Sequence, residues 1–132
     1  MSLRYCSLPV VQGERKRETF WRGIDCFNER RFFDCHEALE AIWQEETQEE
    51  KPFYQGLIQV AAGFHQLLEK RNPKGALSLV SAGAEKLRRY PPAHGGLDLA
   101  ALLRALDPWL AHLTHTASGE PPPVPTIPLA RR

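Results

Sequence analysis

The chain has only three cysteines in 132 residues, Cys6, Cys26 and Cys35. An odd number without paired spacing argues against a disulfide framework and fits reduced thiols in the cytoplasm. Surplus charge is missing as well. The formal net charge is +1, so nothing calls for a large polyanionic partner. Short basic clusters exist (Arg15-Lys16-Arg17, Arg30-Arg31, Arg88-Arg89, Arg131-Arg132), but acids are interleaved with them. No aromatic or glycine-rich RNA motif accompanies them, so they read as solvated surface and no nucleic-acid partner is expected. No apolar run is long enough to span a bilayer. The opening MSLRYCSLPVV is too short and weakly apolar for a signal peptide. The expectation is a cytoplasmic protein with no membrane partner. Strand alternation, internal repeats, G-x-S-x-G, a phosphate-binding loop and a dinucleotide fingerprint are all lacking.

What is present is helical periodicity. After an arm over 1–13, a first helix is expected from about Glu14 to Glu29, with Phe20, Ile24 and Phe27 at helical spacing. A second should start at Asp34, with Glu37 three positions on completing a capping box, and end near Glu46. Pro52 suits the first turn of a third helix reaching about Lys70. Its centre, GLIQVAAGFHQLL, is apolar on nearly every side, as a helix buried in a bundle would be. Asn72-Pro73 caps and opens a fourth, which stops at Tyr90 before Pro91-Pro92. His94-Gly95-Gly96 reads as a loop. Asp98 caps a fifth, with Leu97 and Leu102 placed as a hydrophobic staple and Pro108 a candidate kink. The last stretch, 116–132, carries five prolines and cannot continue a helix. It reads as an extended tail, flexible unless it docks, with P-x-x-P spacings that suit a partner groove. The fold class expected is all-α: one domain, 14–115, of about five helices with sequential neighbours antiparallel.

The polar residues that do not suit such a core lie in FFDCHEALEAIW, residues 32–43. At about 100° per residue, His36 and Glu40 are about 40° apart and Trp43 lies close beside them. The pair flanks the apolar face, so the two can meet while partly buried. On the third helix Gln55, Gln59 and Gln66 share one stripe with Ala62. Amides there need partners or water. A structural reading makes His36 and Glu40 a hydrogen-bonded seam. A metal reading has them point at one zinc, iron or manganese ion, but a structural zinc takes four ligands and a catalytic one three plus water. The third helix has no acid between Phe53 and Leu68, which disfavours a ferritin-like di-iron site. Glu40 stands where the second histidine of HExxH would be. His65, Asp25, Glu29 or a partner subunit would have to complete the set. Cys35 and His36 are adjacent, so on a helix they point about 100° apart and do not make a nucleophilic dyad.

FNERRFFDCHEALEAIW, FYQGLIQVAAGFHQLLEKRNPKGA and the helix ending in Tyr-Pro resemble the bacterial and archaeal family catalogued as domain of unknown function 309, over about Phe20 to Tyr90. The motif is His36, Glu40 and Trp43, with the run Gln55 to Gln59 and the turn Asn72 to Ala76. The resemblance implies an all-helical fold, a functional His/Glu motif and metal binding as one use of it. The bend before the motif often carries glycine in that family. Here it reads Glu29-Arg30-Arg31.

Two functions follow as expectations. One is a small polar-ligand or metal site between the second and third helices, with hydrolytic chemistry as one outcome. His36 and Glu40 would bind the ion or move a proton, Gln55 or Gln59 would orient the ligand, and Trp43 would wall the pocket. The other is a non-enzymatic interaction module, pairing with a second copy or another protein through the apolar third helix and the tail.

Overall fold

The computed structural model describes residues 12–115 and 119–130. Most of the expected arm and the ends of the tail, with Cys6, Arg131 and Arg132, lie outside the described residues. Five helices are formed: α1 (Gln12–Asn28), α2 (Phe32–Trp43), α3 (Lys51–Leu68), α4 (Pro73–Leu87) and α5 (Leu99–Thr114). Each helix packs on the next in sequence, as short connections dictate. The all-α expectation holds, and α1 takes in Gly13.

Two expected caps form. The Asn72 side chain accepts from the Gly75 amide and the Asp98 side chain from the Ala101 amide, both at 3.0 Å. The capping box at Asp34 does not. α2 begins two residues earlier, at Phe32, with Arg31 in the cap position and no side-chain cap bond. Tertiary packing overrides the local signal. Phe32 is 3% exposed, its ring 5.0 Å from Phe27 and 5.5 Å from Phe64, so burial draws it into the helix. Asp34 instead takes Arg31 as partner, at 2.9 Å, which leaves Glu37 free of a capping role.

α3 is the central helix, with Phe53, Leu57, Val60, Ala61 and Phe64 all buried. Its approach to α4 is close because no side chain intervenes. A Cβ on Gly83 would lie 2.6 Å from the Gly56 carbonyl oxygen, and one on Gly63 would lie 2.5 Å from Val80 Cγ2. The Gly83 neighbour is backbone and cannot turn aside. Gly83→Ala is therefore expected to lower stability by about 1–2 kcal/mol net in urea unfolding, overpacking outweighing the gain in helix propensity. Gly13→Ala, with nothing within 4 Å, should be neutral or stabilising. A Gly83→Ala protein as stable as wild type would show that the two helices are less tightly apposed.

The loop expected at His94-Gly95-Gly96 is a tight hairpin, β1 (Ala93–His94) paired antiparallel with β2 (Leu97–Asp98). Gly95 (φ 59°) and Gly96 (φ 79°) make its turn, the double left-handed conformation that suits two-residue hairpins. The tail is extended, as expected, but it docks. Ile127 is 1% exposed within the core, and Leu129 bridges Leu97.

Candidate functional site

α2 and α3 run side by side in opposite senses. The end of α2 meets the start of α3, where Trp43 Nε1 donates to the Lys51 carbonyl at 3.2 Å and Lys51 Nζ lies 5.3 Å from the indole centroid. By the same register, His36 at the start of α2 meets the last turns of α3. A depression of about 340 Å³ lies there, lined by Phe33, His36, Ala62, His65, Gln66 and Lys70.

His36 Nε2 is 2.9 Å from Glu40 Oε2, the one-turn contact that the spacing allows. The His36 side chain is 26% exposed and Glu40 57%. His36 Nδ1 is buried and has no hydrogen-bond partner. The nearest acid, Glu37 Oε2, is 3.6 Å away, beyond hydrogen-bonding length. An orphaned buried N–H costs about 1–3 kcal/mol, so the hydrogen belongs on Nε2, donated to Glu40. Nδ1 then keeps a bare lone pair. The ring of Phe33 lies over this histidine, 5.8 Å from its centroid, and 5.2 Å from that of His65.

The other sequence candidates sit elsewhere. Gln59 Oε1 accepts from Lys86 Nζ of α4 at 2.9 Å. Neither Gln55 nor Gln59 lines the depression, and Trp43 clamps the far end of α2. Gln66, on the same stripe, does line it, while also accepting from Asn72 Nδ2 at 3.2 Å. Phe33, Gln66 and Lys70 were not legible as site residues, because a helical stripe does not say which of its turns faces a given residue of the neighbour. Phe33 had a signal: a large apolar residue beside the motif that could not share the buried face of Phe32.

Cys35, next to His36, is fully buried and points into the core. Burial pushes its thiol up to about 12. Thiolate is then on the order of one part in 10⁵ at neutral pH, so Cys35 is no nucleophile.

For a metal, one chain brings two converging ligands, His36 and Glu40, already bonded to each other. Among the described residues no group of three or more His, Cys, Asp or Glu side chains is placed to hold an ion. That donor set falls short of the three that a catalytic zinc takes.

Residues 20–79 match the family model of a domain of unknown function, DUF309. The matched stretch runs from the second half of α1 into α4. It includes His36, Glu40, Trp43 and the whole α2/α3 depression, while α5 and the tail lie outside it. The resemblance to DUF309 carried by the His36 motif therefore holds over the residues that build the site. No curated protein matches the chain.

Proposed function

We propose that the α2/α3 depression binds a small polar molecule, and that His36, oriented by Glu40, exchanges a proton with it or with a water beside it. The observation that carries this is the unequal state of the two ring nitrogens. Nε2 is held at 2.9 Å by a carboxylate, while Nδ1 is buried without a partner, so it meets a ligand or water once the side chains over it shift. A carboxylate that fixes a histidine tautomer and leaves the other nitrogen basic is the arrangement general-base catalysis uses. Hydrolysis is the simplest chemistry such a base serves, with water as the proton donor.

Energetics favour this over a structural seam. Glu40 is more than half exposed, and ion pairs of that kind contribute only about 0–1 kcal/mol. A pair with so little to give the fold is poorly explained by stability. His36→Ala and Glu40→Gln are thus each expected to cost less than about 1 kcal/mol in urea unfolding. On chromogenic ester and phosphoester panels, His36→Ala should lower any turnover by about 100-fold or more, and Glu40→Gln by less. Variants that match wild-type turnover, or that lose several kcal/mol of stability instead, would return the pair to a structural role.

A divalent metal (zinc, iron or manganese) at His36 and Glu40 needs ligands from beyond these two side chains, for instance from a second copy. Elemental analysis of the purified protein beside a His36→Ala/Glu40→Ala variant reads this directly. Stoichiometric metal in wild type alone would replace the proton-transfer reading. The alternative, a non-enzymatic interaction module, would pair through the apolar, glycine-bearing α3 and the tail. α2 and α4 of the same chain cover the first, and the tail grips its own helices.

A further inference from the structure

Two residues other than glycine hold a left-handed backbone among the described residues, and both are arginines: Arg30 at φ 64° and Arg71 at φ 53°. Arg30 is where α1 stops. Its amide donates to the Phe27 carbonyl at 3.0 Å, and the Arg31 amide donates to the Cys26 carbonyl at 2.8 Å. This pair of bonds closes a helix through one left-handed residue, a place glycine usually takes. Any residue with a Cβ pays roughly 1–2 kcal/mol there. Arg71 pays the same cost at its own bend, so what singles out Arg30 is where it lies.

It lies beside the proposed site. Arg30 lines a second depression, of about 430 Å³, whose walls include Phe33, His65 and Leu68. Phe33 and His65 also line the depression that holds His36 and Lys70, so the two hollows share a wall. On that wall Phe33 is 50% exposed, and Leu68 next to it is 42% exposed. An apolar ridge is thus flanked by Arg30 on one side and Lys70 on the other. Of the other charges here, Arg31 is held by Glu29 at 3.3 Å and Asp34 at 2.9 Å. Among the described residues neither Arg30 nor Lys70 is in an ion pair. The hollow around His36 has no acid in its lining, and Glu69 is the one acid of the second hollow not tied to Arg31.

Resting on the reading of the α2/α3 depression as a ligand site, we propose that its ligand is a small organic oxyanion lying across the shared wall, its phosphate or carboxylate head held by Arg30 and its apolar body on Phe33 and Leu68. Arginine at the helix stop gives up fold stability for a charged fork that matches such a head.

The test is titration of the ¹⁵N-labelled full chain with phenyl phosphate, benzoate and neutral benzyl alcohol, followed by amide shifts. The proteins are wild type, Arg30→Gly, Arg30→Asn and Arg30→Lys. Phenyl phosphate or benzoate should shift the amides of Phe33, Ala62, His65, Gln66 and Lys70 saturably, and the stronger of the two identifies the head. Affinity should fall about fivefold or more in Arg30→Gly and Arg30→Asn and about twofold or less in Arg30→Lys, as loss of a charge-assisted contact predicts. Arg30→Gly should meanwhile unfold at the same or a higher urea concentration than wild type. Unchanged affinity in Arg30→Gly overturns the oxyanion. Saturable shifts with benzyl alcohol as strong as with the anions overturn it too, but leave the depression standing as a ligand site. No saturable shift with any probe overturns both.

Discussion

Removing residues 120–132 is expected to destabilise the protein by about 3–5 kcal/mol, the range seen when a large buried side chain is lost and its cavity stays open. Ile127 is buried among the helices, and its backbone is gripped on both sides. The Ile127 amide donates to Asn28 Oδ1 at 2.7 Å, and Asn28 Nδ2 donates to the Ile127 carbonyl at 3.1 Å. Trp109 Nε1 donates to the Pro123 carbonyl at 2.8 Å, and the Asp98 amide to the Pro128 carbonyl at 2.8 Å. Deletion loses the Ile127 packing and strands the partly buried Asn28 and Trp109 donors together. The five prolines of this stretch lower the entropy lost on docking, since each already has φ restricted. Single substitutions divide the effect. Ile127→Ala should cost about 2–4 kcal/mol, Asn28→Ala about 1–3 kcal/mol by leaving two backbone groups unpaired, and exposed Pro121→Ala almost nothing. Asn28 is also the last residue of α1, two before the Arg30 bend. Loss of the tail should therefore shift amide signals of Arg30 and Phe33 as well as lower the urea midpoint. A truncated protein within about 0.5 kcal/mol of wild type would mean that the tail does not complete the core.

That docking was illegible in the sequence for a physical reason. Proline content fixes the tail as extended, but whether an extended chain binds its own domain depends on a socket built from Asn28, Leu97 and Trp109, which come from three elements. Local chemistry was readable where both partners lie within one turn. Asn72 and Asp98 cap as their spacing says, and His36 meets Glu40. Asp34 shows the limit, because the same local signal loses to burial of Phe32. The hairpin at Gly95-Gly96 was missed because two-residue strands show no alternation. The site was half legible. The pair on α2 followed from one helix, whereas the choice of Ala62, His65 and Gln66 over Gln55 and Gln59 depends on how α2 and α3 are set against each other. The departure at the bend was visible as Arg30, and only its φ of 64° turns it from a variation into a costly choice.

Above pH 9 stability should fall steeply, and up to pH 11 the largest single share should trace to Cys35. Its thiol has an ordinary value of 9.0 in the unfolded chain and is pushed up to about 12 in the core, first by burial and then by Cys26 nearby. Between those values the folded protein keeps a proton that the unfolded chain releases. Unfolding thus releases a proton, and a rising pH pulls the equilibrium toward the unfolded state. The Cys35 contribution is at full strength below about pH 9, declines through the window and levels off near pH 12. Three pH units correspond to about 4 kcal/mol, a large share of what a domain of this size has to lose. Tyr54 is raised as well, by burial first and then by Glu46, so it adds to the loss with the same sign. Urea unfolding at pH 8, 9.5 and 11 should show the decline in wild type and a much shallower one in Cys35→Ala, the remainder belonging to Tyr54 and other groups. Thiol labelling provides a second reading. In a Cys6→Ser background at pH 8, the folded protein should react with a disulfide reagent orders of magnitude more slowly than in urea. Equal slopes in wild type and Cys35→Ala, or rapid labelling of folded Cys35, would remove the buried thiol from the account. It would also reopen the question of whether Cys35 takes part in the chemistry beside His36.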